Sequence, residues 1–167
     1  MKNSMPPDKT SVIVGIAQHT QDKETTNPLD PLGLMTLTGK QALADTGKKN
    51  LTQHCDTIRV VNIMSHTYRD VCADLAQSLK IIPSRTFYST MSGNSPQLYL
   101  NQTANDIAMG RSRMTLIAGA EAHCAIHRAR KGQVALDWPE IAPPEQMDGD
   151  DRPGATDMEF GYDLIVP

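Results

Sequence analysis

Residues 85–123 constrain the fold more than any other stretch, because they read as strand, tight loop, helix and strand in immediate succession. Phe87 and Tyr88 favour an extended backbone, and Ser92 and Gly93 interrupt it. Ser95 before Pro96 reads as a helix start, Ser suiting the N-cap and Pro the first helical position. Leu100, Ala104, Ile107 and Ala108 then recur at helical spacing, and Gly110 stops the helix. Met114 to Ala118 is an apolar run of buried-strand length, closed by Gly119. A helix N-terminus concentrates backbone N–H groups and positive dipole, so the residue placed there, Ser95, is the first candidate for chemistry.

The rest of the chain repeats the pattern. Ser11 to Ala17 (SVIVGIA) is continuous, apolar and rich in β-branched residues, which predicts a strand buried on both faces. Asp30 before Pro31 predicts an N-cap, with a helix running to Gly47 and a stripe of Leu32, Met35, Thr36, Gly39, Ala42 and Leu43. The small residues Thr36 and Gly39 either allow close packing on a neighbour or merely weaken the helix. Cys55 to Met64 predicts a strand centred on 58–63. Arg69 to Lys80 predicts a helix with Val71, Cys72, Leu75, Ala76 and Leu79 on one face, closed by Pro83. Strands alternating with helices specify an α/β fold with a mostly parallel sheet.

Composition limits the function. The chain has 167 residues, enough for one domain with a core, and a net charge of −3. That balance argues against general affinity for nucleic acid or an anionic membrane. Aromatics at 4% argue against stacking platforms for single strands. Cys55, Cys72 and Cys124 form no CxxC pair and read as reduced thiols of a cytoplasmic protein. No apolar run approaches membrane-spanning length. Residues 1–10 read as a disordered lead-in, 11–123 as the α/β domain, and 124–167 as a further region in which 141–156 is rich in Pro, Gly and Asp and reads as irregular loop, before a new apolar motif begins at Phe160 and stops. A stop in mid-pattern predicts either the front part of something longer or a product truncated by a change in the sequence.

Three signatures together resemble the thiolase superfamily, within its thiolase-like, acetyl-CoA acetyltransferase-like group. They are the opening run Val12 to Ala17, the loop Ser92 to Gln97 opening a helix, and Ala118 to Ala122 followed by His127 to Gly132 and Leu136 to Pro139. The resemblance implies a fold of two similar α/β halves with helices on both faces of each sheet. This chain corresponds to the first half plus the start of an inserted loop region, truncated before the second half. It implies an acyltransferase handling acyl-CoA, with the coenzyme A thioester as substrate and no resident cofactor. It also implies a homodimer paired along Arg85 to Thr90. In active relatives the residue starting the third helix is a cysteine that accepts the acyl group. A helix N-terminus can lower a thiol pKa from about 8.5 into roughly the 3.5–7.5 range.

The matching residue here is Ser95. An alcohol stays protonated in the same field and needs a general base. Its neighbours Asn94, Pro96 and Gln97 supply none. Ser95 therefore reads as an N-cap at a degenerate nucleophile position, or as a nucleophile served by a distant base. The base candidate is His66, because loops at the C-terminal ends of parallel strands share one rim; its competing reading is a solvated loop residue. With a serine at this position and no second half, the chain is expected to be inactive in Claisen condensation or thiolysis. The alternative is a non-catalytic thiolase-fold module that binds a CoA-type ligand or a protein partner. Arg128, Arg130 and Lys131 either meet coenzyme A phosphates or form a solvated basic patch. His123 and His127 sit at metal-ligand spacing, but the family has no metal there, and no metal site is assigned. Trp138 reads as an anchor for its loop. Gly15 is not followed by a GxGxxG, which weakens a dinucleotide-binding reading.

Overall fold

The computed structural model describes residues 10–142 and 157–162. The expected lead-in at residues 1–9, most of the irregular stretch at 143–156 and the final residues 163–167 lie outside the described residues.

Among the described residues three parallel strands form the sheet: β1 (Thr57–Val60), β2 (Arg85–Tyr88) and β3 (Thr115–Ala118), in the order β2-β1-β3. Thr57 pairs with Arg85 and Thr115, and Val60 with Tyr88 and Ala118. Among the described residues five helices accompany them: α1 (Pro31–Asp45), α2 (Val71–Leu79), α3 (Ser95–Ala108), α4 (His123–Arg130) and the short α5 (Asp157–Gly161). A 3-10 turn at Leu51–His54 leads into β1.

The central strand β1 is buried along its whole length. Successive residues of a strand face opposite sides. Ile58 and Val60 join Met35 of α1 and Val71, Cys72, Leu75, Ala76 and Leu79 of α2 in the apolar core. Arg59 faces the other way and meets α3 through Gln102 and Asp106. Helices thus cover both faces, as the alternating pattern requires.

On the apolar side α2 is built as its sequence predicts, whereas of the stripe expected on α1 only Met35 and Gly39 are buried; Leu32, Thr36, Ala42 and Leu43 are half-buried, and Leu34, outside that stripe, is buried. Asp30 caps α1 by accepting from the Gly33 N–H, with Pro31 in the first turn. The five apolar residues foreseen on α2 are all buried, and Asp70 caps that helix by accepting from the Ala73 N–H. The question at Gly39 resolves towards close packing: a Cβ there would lie 2.8 Å from Leu79 Cδ1.

Two expectations are overturned. The run Ser11 to Ala17 is neither a strand nor buried; Val12, Ile13, Val14 and Ile16 stand 53–72% exposed. It lies along the end of α1 instead. Ile16 N–H donates to Asp45 Oδ2 at 2.9 Å, and Gly15 presses so closely that a Cβ would collide with the Ala42 carbonyl oxygen. Apolar composition marks a stretch as suited to a sheet interior, but a strand also needs a neighbour to pair with, and no described strand flanks this one. On α3, the recurring apolar positions are not the buried ones. Leu100 is 40% exposed and Ala104, Ile107 and Ala108 are half-buried, while Ser95, Tyr99, Thr103 and Asp106 face inward. The cause is Arg59, which presents a guanidinium to this helix where Ile58 and Val60 present hydrocarbon to α2. Gly110, at φ +71°, ends the helix as expected.

Candidate functional site

The C-terminal ends of the three strands share one rim, and its loops are tied to each other. Beyond β1, the Asn62 N–H donates to Ser89 Oγ and the Ile63 N–H to Tyr88 Oη, each at 2.9 Å. The Met64 and Ser65 N–H groups donate to the two carboxylate oxygens of Glu121, at 2.7 and 3.0 Å. Ser65 Oγ in turn accepts the Ala122 N–H at 3.0 Å. Gly119 lets the chain after β3 pass Val61, where a Cβ would come within 3.1 Å of the Val61 Cβ. Glu121 is therefore the clamp between the loops after β1 and β3. The backbone groups it clamps lie 56 and 57 residues away, so no local pattern announces the clamp.

Ser95 stands at the tip of α3, on this rim, 1% exposed. It is not the N-cap. Asn94 precedes the first helical residue and makes no side-chain cap, Ser95 is itself the first residue of the helix, and Pro96 is the second. The Ser95 hydroxyl donates to the Thr90 carbonyl at 3.1 Å instead of accepting a backbone N–H. Its proton is held by a backbone oxygen, which is no base.

His66 is brought to the same rim but not to Ser95. It is 7% exposed, so the solvated-loop reading is also corrected. Its ring packs edge-on against Tyr68 at 4.6 Å and Trp138 at 5.7 Å between centroids. Its Nε2 has no hydrogen-bond partner among the described residues. Tyr68 Oη donates to Asp30 Oδ2 at 2.7 Å and accepts the Leu32 N–H at 3.1 Å, and burial, with the Asp30 bond behind it, pushes its phenol far up. Trp138 anchors its loop as expected, donating from Nε1 to the Pro28 carbonyl at 2.8 Å. The apolar ring contacts of His66 thus serve to seat the 133–142 segment on the body.

A cavity of about 250 Å³ opens beside the rim between residues 19–28 and α4, lined by His19, Lys23, Pro28, Glu121, Cys124 and Arg128 among others. Of the three basic residues expected to meet phosphates, Arg128 lines this cavity, pinned by a bond from Nη1 to the Thr25 carbonyl at 2.8 Å. Arg130 and Lys131 are exposed at the end of α4. His123 lies 3.4 Å from Glu121 and is exposed; no group of three or more His, Cys, Asp or Glu side chains is arranged to hold a metal among the described residues. Cys55 and Cys72 are buried; burial drives both thiols up, Cys72 to about 12 with the Asp70 charge adding, while Cys124 is exposed. No described helix is long and apolar enough to cross a membrane.

A three-stranded parallel sheet covered by helices on both faces, with a helix launched from its C-terminal rim at Ser95, is a thiolase-like α/β architecture. Among solved structures the chain is similar to a monomeric SCP2-thiolase like protein type 1 from Mycobacterium smegmatis, at 25% identity and a TM-score of 0.61. The match covers 69% of this chain and 24% of that one, so this chain spans about a quarter of its structural neighbour. No protein-family model and no curated protein matches the chain.

Proposed function

We propose that this chain is a thiolase-like module that binds an acyl-CoA-type thioester without forming a covalent acyl intermediate at residue 95. The observation that carries this reading is the state of Ser95: a hydroxyl at the tip of α3, buried, donating to the Thr90 carbonyl, with no hydrogen bond to His66. The helix N-terminus still offers positive potential for a thioester carbonyl oxygen. Acetyl-CoA cleavage needs a nucleophile that this serine does not supply without a base. Support for the ligand class comes from the fold likeness and from the cavity beside the rim, where Arg128 and Lys23 offer cations to a phosphate. A cytoplasmic location belongs to the same reading. So does a homodimer paired along β2, whose one edge pairs with β1 and whose other edge is unpaired among the described residues.

Calorimetric titration with acetyl-CoA tests the ligand class. Saturable binding is expected, and Arg128→Ala should weaken it about tenfold, the equivalent of about 1.4 kcal/mol. Absence of binding by the wild-type chain overturns the reading.

A further inference from the structure

A second polar cluster lies towards the opposite end of the sheet, away from Ser95. Arg85 opens β2, Arg59 is the third residue of β1, and Arg111 follows the C-terminus of α3. All three guanidiniums converge on Asp106. Arg59 Nη2 and Arg85 Nη2 meet its Oδ2 at 2.8 and 3.2 Å, and Arg111 Nε and Nη2 meet its Oδ1 at 2.8 and 2.7 Å. Three cations around one carboxylate leave a surplus of two positive charges. The adjacent carboxylate does not offset them: Asp56 accepts from Ser112 Oγ and the Arg113 N–H and pairs with the Arg113 guanidinium.

We propose that Arg59, Arg85 and Arg111 form a binding site for a phosphate dianion. Four features support it. Both oxygens of Asp106 are already shared by two donors each, so the remaining guanidinium N–H groups must look elsewhere. Arg59, 4% exposed, keeps a buried Nε with no hydrogen-bond partner among the described residues. The Arg59 head lies between aromatic rings, 4.2 Å from the Phe87 centroid and 5.2 Å from that of Tyr99, in surroundings that strengthen any charge interaction. The Arg85 and Arg111 side chains are 33% and 49% exposed, so an anion reaches them directly from solvent. A guanidinium fork matches the tetrahedral oxygens of phosphate and gives two parallel bonds per arginine.

The experiment is calorimetric titration of the intact chain with inorganic phosphate and, in parallel, with phenyl phosphate, at constant ionic strength. Saturable binding of inorganic phosphate identifies a free-phosphate site, and binding of phenyl phosphate alone identifies a monoester site; either supports the proposal. Arg111→Gln and Arg85→Gln each leave the Arg59–Asp106 pair in place, which far-UV circular dichroism checks. Each should weaken binding by about tenfold or more. Failure of both anions to bind, or an affinity unchanged in both variants, overturns it.

Discussion

Replacing Asp106 by alanine is expected to lower stability by about 3–5 kcal/mol, the range for breaking a buried ion pair from one side. Arg59 has almost no access to water, and its Nη2 would lose its carboxylate. Arg85 and Arg111 would lose the same partner and repel one another around it. A domain is stable by only about 5–15 kcal/mol, so a large share of the total is at stake. Urea denaturation of the variant checks it. A double change of Arg59→Met with Asp106→Leu should recover much of the loss, because replacing both buried charges by hydrocarbon removes the stranded cation. The same carboxylate sets an acid limit. Burial alone would raise the Asp106 pKa, but the Arg111 hydrogen bond and the charges of Arg59, Arg85 and Arg111 outweigh it and hold it below the usual carboxylate range. Asp56 is held low in the same sense: burial works upward, and hydrogen bonds from Ser112 and the Arg113 backbone outweigh it. A carboxyl lowered on folding contributes stability that is complete above its unfolded pKa of about 3.9 and is lost as pH falls through the folded value. Denaturation midpoints should therefore drop below about pH 4, and Asp106→Asn should flatten that dependence.

Ile58→Ala should cost about 2–5 kcal/mol, the range for truncating a fully buried aliphatic residue. Ile58 sits at the middle of the central strand with no exposed surface, in the core shared with Met35, Val71, Leu75 and Leu79. Its neighbours are held by helices on one side and by strand pairing on the other, so little can move to fill the space. The thermal midpoint should fall by roughly 2–4 °C per kcal/mol at this chain length. Ile82→Ala is the control: that residue is 94% exposed, and the change should stay within about 0.5 kcal/mol.

What could be read from the sequence was local. The α2 face, the Asp30 cap, the Gly110 stop and the three strand segments each follow from neighbours within a few residues. Most of the failures share one cause, a partner far along the chain; the exception is Ser95, whose partner Thr90 lies five residues away. The run Val12 to Ile16 has strand composition, but α1 rather than a strand receives it. The inward face of α3 is chosen by Arg59, some forty residues earlier, which draws Gln102 and Asp106 to the sheet and turns Leu100 out. At the rim, position 95 was legible as the tip of a helix, yet the hydroxyl's partner, Thr90, depends on the loop conformation. The aromatic surroundings of His66 come from Trp138, and the Glu121 clamp closes on backbone N–H groups after β1. The helix α4 followed from no strong apolar stripe, since it buries Ala125 alone.

The most direct test of the central claim is intact-mass spectrometry after exposure to acetyl-CoA, with peptide mapping of any adduct. The wild-type chain should carry no acetyl group on residue 95. Ser95→Cys should gain one, as the thiolate at the tip of α3 attacks the thioester carbonyl, a new thioester forms and coenzyme A leaves as the thiol. An acetyl group mapped to Ser95 in the wild-type protein, or a Ser95→Cys protein that stays unmodified, would contradict the account.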